Sequence, residues 1–270
     1  MTYEARQFDF EGIPVSYLES GRGFPILMIH GSGPGASTQG NWRAVLGPLA
    51  ERFHIFAMDL IGFGQSGRKA APPYFDYDLW FRQCRAMIAQ MPGPAIGIIG
   101  HSLSAALALK LAGIEHRIAK VLTTGAMGAH FPVNEWTLRT WTFPATRDDL
   151  RRAAEGLVYD KSLIDDAYLE GRERVLHAGD YREYFGAMFS GDRQRFVDAA
   201  VLSPEELGRV GCDVALLHGR DDRAFPAEPL SVALARAIPQ ADLFLIGRCS
   251  HSVAMEHPSH LLAVGDLLFR

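Results

Sequence analysis

The sequence predicts an α/β fold: a mostly parallel eight-stranded sheet with helices on both faces and a helical insertion after the sixth strand. Three observations predict it. Short, continuous apolar runs alternate with stretches of helical spacing, the pattern of a parallel sheet buried on both sides. The runs end in glycine-rich or polar loops, the places where such sheets put their ligand crevice. Between Gly125 and about Arg209 the strand signal stops and helix-start patterns recur instead.

Residues 5–19 alternate loosely, with Phe8, Phe10, Ile13, Val15 and Tyr17 apolar and Glu11-Gly12 at the break, so they predict an antiparallel hairpin. Pro25 to Ile29 is a fully apolar strand, followed by the loop His30-Gly31-Ser32-Gly33-Pro34-Gly35. Its three glycines let the backbone pass close to a ligand and aim N–H groups into a site. A phosphate loop is the competing reading, but no G-K-[ST] follows. Helical spacing at Trp42, Val45, Leu46 and Leu49 leads to a strand over 54–58 and a glycine-punctuated loop from Asp59 to Gly67. A helix is expected from Tyr77 to Gln90, stopped by Pro92-Gly93-Pro94.

The next strand, beginning at Ile96, ends in Gly100-His101-Ser102, and a helix that is apolar nearly all round starts at Leu103, with Gly113 as its expected cap. Lys120 to Thr124 is the sixth strand. In the insertion, Thr146 with Asp149, Ser162 with Asp165, and Ser203 with Glu206 each place a hydroxyl at an N-cap and a carboxylate three residues on. Asp213 to Gly219 and Ala241 to Gly247 resume the sheet. The organisation expected is a core of 1–130 and 201–270 with 131–200 as a helical lid.

Composition narrows the function. At 270 residues with 48% apolar and 21% charged residues, the chain is an ordinary globular domain with one insertion. A net charge of −4 offers no attraction to nucleic acid or anionic membrane. No apolar run approaches the ~18 residues of a spanning helix, and the N-terminus does not read as a signal peptide. Cys84, Cys212 and Cys249 are odd in number and scattered, which argues against a disulfide framework or metal cluster and for a cytoplasmic protein with reduced thiols. No metal or organic cofactor is expected, and a homo-oligomer is neither required nor excluded.

Strand, sharp turn and helix around Ser102 is the context in which a serine hydroxyl is exposed at a sheet edge. The helix N-terminus favours negative charge developing there. An ordinary βα turn with a serine cap has the same local pattern. A nucleophilic serine needs a base and the base an orienting acid. Asp221 and Asp222 follow one late strand and His251 follows the last, so the chain order is Ser, Asp, His. Each residue alone has a bland alternative, a loop salt bridge or a surface histidine; the three in order on strand-end loops do not share one.

These motifs together resemble the α/β-hydrolases over nearly the whole chain: His30-Gly31, Asp59-x-x-Gly62-x-Gly64-x-Ser66, the Ser102 elbow, Gly219-x-x-Asp222-x-x-x-Pro226, and His251 before the last helix. In that family the acid lies three residues past the glycine, which implies Asp222 rather than Asp221. More narrowly, His30 to Ser37, Asn41, Gly171-Arg172 and Gly219 to Arg223 resemble the meta-cleavage-product hydrolases, which split carbon–carbon bonds in ring-opened aromatic catabolites. The resemblance implies an oxyanion site on the backbone amides of Ser32 and Leu103 and a substrate pocket including Gly33, Asn41, His101, Arg172 and Ser252. Three features depart from that subfamily: His101 replaces an asparagine, Ser104-Ala105 a Gly-Gly pair, and Ser252 a tryptophan.

Arg172 shares a stripe with Ile164, Tyr168 and Leu176 at steps of four. An inward arginine is costly unless it meets a carboxylate. That carboxylate is the substrate's by the resemblance; an internal pair with Asp165, Glu173 or Asp222, or a snorkelling surface arginine, is equally compatible with the spacing. The expected activity is therefore serine-dependent hydrolysis of a small carboxylate, of the 2-hydroxy-6-oxo-hexa-2,4-dienoate type. An esterase or lactonase with the same three residues, and a non-catalytic ligand sensor on the same fold, are the rival readings.

Overall fold

The computed structural model describes residues 3–270; Met1 and Thr2 of the N-terminal stretch lie outside the described residues. The sheet has eight strands: β1 (Glu4–Phe10), β2 (Ile13–Ser20), β3 (Pro25–Ile29), β4 (His54–Met58), β5 (Ile96–His101), β6 (Ile118–Thr124), β7 (Asp213–Gly219) and β8 (Ala241–Ile246). Their order across the sheet is β1-β2-β4-β3-β5-β6-β7-β8. Pairs β1/β2 and β2/β4 are antiparallel, and every pair from β4 to β8 is parallel. The crossover β4-β3-β5 makes the loops after β3 and β5 neighbours, and all six parallel strands point their carboxyl ends at one edge.

Strand residues alternate between two cores. Leu27, Ile29, Phe56, Met58, Ile98 and Val121 face one side, where they meet α3 (Tyr77–Gln90) and α4 (Leu103–Ala112). Ile26, Met28, Ile55, Ala57, Ile99 and Leu122 face the other, against α1 (Thr38–Trp42), α2 (Leu46–Ala50) and the C-terminal helix ending at Phe269. The period of two therefore puts apolar side chains into both layers, which is why these strands read as unbroken apolar runs. Helix α4 buries Leu103, Ala105, Ala106, Leu107, Ala108, Leu109 and Leu111 completely. Its apolar circumference matches its place under the insertion and against the sheet.

Between β6 and β7 the described residues contain no strand. They form α5 (Glu135–Thr140), α6 (Arg147–Glu155), α7 (Asp166–Leu176), α8 (Tyr181–Met188), α9 (Gln194–Asp198) and α10 (Pro204–Gly208). Thr146 and Ser203 form reciprocal capping boxes with Asp149 and Glu206. Helix α10 is tied to the core by the Lys110–Glu206 ion pair at 3.1 Å. After β7 and β8 come α11 (Ala233–Ala237), α12 (Val253–Glu256) and α13 (Pro258–Phe269).

Two local readings differ from the structure. Ser162 is not a helix N-cap: its hydroxyl donates to Asp160 within a short 3-10 turn, and Asp165 caps α7 by accepting from the Tyr168 amide at 2.8 Å. Aspartate caps as well as serine, so the helix starts three residues later, where the chain has already satisfied Ser162. The helical spacing from Trp42 to Leu49 is split into α1 and α2. Pro48 has no N–H to donate back to residue 44, so the helix ends in a tight turn and restarts with Pro48 in its first turn. No helix among the described residues is long and apolar enough to cross a membrane.

Candidate active site

Ser102 occupies a backbone conformation, φ 58° and ψ −124°, that L-residues rarely adopt. The neighbouring chain holds it there. Its N–H donates to the Thr124 carbonyl at 2.9 Å, and its own carbonyl accepts from Ala105 and Met127. Gly100 is required on packing grounds: a Cβ there would lie 2.6 Å from the Ser104 carbonyl oxygen. Ser104 replaces the second small residue without crowding. Its hydroxyl donates to the His30 carbonyl at 2.5 Å and so ties the elbow helix to the glycine loop after β3.

Ser102 Oγ lies 2.9 Å from His251 Nε2, and His251 Nδ1 lies 2.7 Å from Asp222 Oδ2. All three residues are at most 5% exposed. Asp222 Oδ1 accepts from the Phe225 amide at 2.9 Å, and His218 Nε2 stands 3.4 Å from Oδ2. His218 Nε2 also reaches the Phe225 carbonyl at 2.8 Å; a carbonyl only accepts, so that nitrogen carries the hydrogen. Burial alone would raise the Asp222 pKa, but the charge of His251 and the hydrogen bonds from His218 and His251 outweigh it and hold the carboxyl well below the usual range. An ionised Asp222 keeps the hydrogen on His251 Nδ1 and leaves Nε2 free to take the Ser102 proton. Chemically, such an arrangement is capable of general-base activation of a serine.

The imidazole of His251 is held by packing as well. Phe225 stacks on it with centroids 4.3 Å apart. Gly125, at φ 55°, lies so close that a Cβ would come within 2.8 Å of Nδ1. Asp221, in the same loop, is turned away from the imidazole. Its carboxylate accepts from the amide of Arg248, a non-glycine residue at φ 52°, at 2.9 Å. The structure thus brings Asp222, and not Asp221, to His251.

Two more buried histidines shape the site. His30 Nε2 accepts from the Leu60 amide and its Nδ1 lies 2.6 Å from the Gly31 carbonyl, so it is a neutral Nδ1–H imidazole that braces the loop. Burial lowers its pKa. His101 places Nδ1 3.0 Å from both the Thr124 carbonyl and hydroxyl, and its ring tilts against His251 at 4.7 Å. Burial first, and the neighbouring His251 second, push its pKa well below that of an ordinary histidine. The amides of Leu103, first in α4, and of Ser32 take no protein acceptor among the described residues.

A narrow cavity of about 60 Å³ opens above Ser102 and is lined by Ser32, Gly33, Asn41, His101, Arg172, His251 and Ser252. Leu103 is not part of this lining; it is fully buried, with its side chain in the core. Asn41 Oδ1 is 3.5 Å from the Gly31 amide, and the Ser252 amide donates to the Leu157 carbonyl. Other lining residues were not singled out from sequence: Tyr168 and Thr140 on inserted helices, Leu150 and Ala154 on α6, Leu157 and Met255. Trp141 lies behind them, its indole donating to Ser32 Oγ at 3.1 Å. Of these only Tyr168 carried a sequence signal, through its stripe with Arg172.

Arg172 is half-buried, with Nη1 donating to the Pro34 carbonyl at 2.6 Å and the guanidinium 5.3 Å from the Tyr168 ring centroid. Its Nε is buried without a partner. The three internal carboxylates open to it by spacing are engaged elsewhere: Asp165 caps α7, Glu173 pairs with Arg147, and Asp222 holds His251.

The alpha/beta hydrolase family model matches residues 26–264. The 2-hydroxymuconate semialdehyde hydrolase of Pseudomonas sp. (strain CF600) is 32% identical over 266 residues, spanning 97% of this chain and 93% of that protein. The 2-hydroxy-6-oxo-2,4-heptadienoate hydrolase of a Pseudomonas putida strain is 30% identical, over 91% of this chain and 88% of its own. A solved structure of the meta-cleavage product hydrolase CumD from Pseudomonas fluorescens IP01 superposes with a TM-score of 0.90 at 27% identity, over 96% of this chain and 95% of that one.

Proposed function

The chain belongs to the alpha/beta hydrolase family, and from that premise we propose that it is a serine hydrolase that splits a carbon–carbon bond in a ring-opened aromatic catabolite of the 2-hydroxy-6-oxo-hexa-2,4-dienoate type. One observation carries the choice of substrate class: a half-buried guanidinium with no carboxylate partner lines the same cavity as the Ser102–His251–Asp222 relay. A substrate carboxylate on Arg172 offsets the cost of that charge and holds the dienoate in register with Ser102. The relatives named above act on such substrates, which supports the reading.

In this reading the 2-hydroxyl proton first moves to C5 to give the diketo tautomer. Ser102 Oγ then attacks the C6 ketone as His251 Nε2 takes its proton, and Asp222 stabilises the imidazolium. The Ser32 and Leu103 amides receive the oxyanion, a contribution of about 3 kcal/mol per donor in comparable sites. Collapse breaks the C5–C6 bond, and its electron pair is delocalised through C3=C4 onto the C2 ketone as a dienolate, which takes the proton back from His251. Water, deprotonated by His251, cleaves the acyl-serine, so the products are a dienoate and a carboxylic acid. Residues 131–200 act as a lid over this site, and three free cysteines, Cys84 and Cys249 buried and Cys212 partly exposed, fit a cytoplasmic enzyme.

Turnover of dienoates bearing hydrogen, methyl or phenyl at the cleaved ketone, set against p-nitrophenyl esters, tests the proposal. Dienoates with the higher kcat/KM are expected. Ester hydrolysis without dienoate cleavage establishes the esterase reading instead, and a single acylation without turnover establishes the sensor.

A further inference from the structure

A second cavity, of about 570 Å³, lies on the outer side of Arg172 and is much roomier than the one above Ser102. The two share Gly40, Tyr168 and Arg172 as a common wall. Arg43 and Arg174 line the outer cavity together with Arg172. None of the three has a carboxylate partner among the described residues, although most other arginines on this surface do, such as Arg147 with Asp166 and Glu173. The one acidic residue in the lining, Asp59, is spent on backbone: its two oxygens accept from the Thr38 and Gln65 amides at 2.7 and 2.8 Å. Arg43 and Arg172 both stack on Tyr168, at 5.7 and 5.3 Å from its centroid. Arg172 Nε at the wall and Thr38 Oγ1 in the outer lining are buried without partners among the described residues. Three like charges gathered round a void, with the carboxylate of the one acid bound to backbone amides and paired with none of them, repel one another unless an anion joins them.

We propose that the outer cavity is a second carboxylate site, in which Arg43 and Arg174 capture the substrate's carboxylate before it passes the Tyr168 wall to Arg172. The ligand class is a small planar carboxylate; the proposal rests on the reading that Arg172 receives such a group. Guanidinium suits it, since its planar fork matches a carboxylate and sheds water more readily than an ammonium. Because Arg43 and Arg174 are exposed, the site attracts at long range and binds weakly, which is the behaviour of a capture site.

Calorimetric titration of the whole protein with sorbate tests this, since hexa-2,4-dienoate carries the carboxylate and diene without a ketone to cleave. Two binding events per chain are expected, with the weaker lost in the double variant Arg43→Gln, Arg174→Gln and the tighter lost in Arg172→Gln; neutral sorbamide should show neither. In kinetics with a carboxylate substrate, Arg43→Gln should lower kcat/KM about 5–10-fold near ~10 mM salt and less than about 2-fold near ~500 mM, where exposed charges are screened. Arg43→Lys should restore most of the low-salt rate, which a merely structural arginine at this position would not allow. A single sorbate event indifferent to Arg43 and Arg174, or a loss in kcat/KM independent of salt, overturns the capture site. Displacement of the weaker event by inorganic phosphate at equal concentration overturns its carboxylate assignment. Sorbate binding needs no turnover, so two events in a protein that cleaves no dienoate keep this site and discard the carbon–carbon reading.

Discussion

Ser102, His251 and Asp222 stand at the ends of sheet strands with each side-chain polar atom matched, whereas Arg172, on an inserted helix, has one carbonyl partner and a buried Nε with none. The strand-borne half is finished before any ligand arrives. Its histidine is oriented by an ionised carboxylate, stacked by Phe225 and crowded by Gly125, so little reorganisation is left for the reacting state. The helix-borne half is unfinished: its guanidinium is half-buried, with no carboxylate partner among the described residues and one nitrogen buried without a partner. On the proposed reading, the groups that do the chemistry gain from completion and the group that recognises the substrate from incompletion, because a guanidinium already paired inside the protein would have nothing to offer a substrate.

The sharpest break in this comparison is Ser102→Ala. If the strand-borne half is the chemical one, kcat should fall by about 10⁶-fold, the scale for losing such a nucleophile, with the melting temperature preserved. A serine-directed phosphonate should label the native protein at Ser102 and leave the variant unmodified. Asp222→Asn comes next, at about 10⁴-fold in kcat, since an asparagine no longer favours the required tautomer. Asp221→Asn should cost far less, because its carboxylate accepts from the Arg248 amide and not from His251. Reversal of these two losses would move the orienting acid to the other aspartate.

Arg172→Gln probes the helix-borne half. Losing a charge-assisted pair worth about 1.5–3 kcal/mol should raise KM for carboxylate substrates by about 10–100-fold, with part of the loss in kcat if register is disturbed. Neutral esters should suffer much less. Equal losses for charged and neutral substrates, with a fall in thermal stability, would make the arginine structural and remove the main support for the carbon–carbon reading.

The smallest effect concerns His101, which stays neutral in the folded protein because burial lowers its pKa well below 6.5. Below pH 6.5 the unfolded chain binds a proton there that the native state refuses, so stability must fall as pH falls. One such group costs about 1 kcal/mol between pH 6.5 and 5.5. His101→Asn should flatten the pH dependence of denaturant-derived stability by about that amount, leaving the smaller share of His30. An unchanged slope would mean that His101 accepts its proton in place.

Much of this was legible from residues alone. Unbroken apolar runs placed β3, β4 and β7 within a residue of their observed limits, because a strand buried on both faces has only one composition available to it. The elbow, the capping boxes at Thr146 and Ser203 and the order Ser102, Asp222, His251 are local in sequence, and local chemistry selects their residues. Where two local solutions were of equal merit the reading failed: Asp165 caps α7 in place of Ser162, and Pro48 splits a helix whose apolar spacing is continuous.

The sequence by itself determined the layered sheet, the inserted helices and the order of Ser102, Asp222 and His251 on strand-end loops, since each is written as a periodicity or a short motif at a strand end. Only the tertiary structure decided that His218 and Phe225 support Asp222, that Trp141 backs Ser32, and that Ser104 fills a glycine's place by binding the His30 carbonyl. It also decided the state of Arg172. Whether that arginine is paired depends on where Asp165, Glu173 and Asp222 turn their carboxylates, and those directions are set by a cap, an exposed ion pair and a histidine from three different parts of the chain. Spacing along one helix defines which residues share a face; the absence of a partner is a property of everything packed around that face.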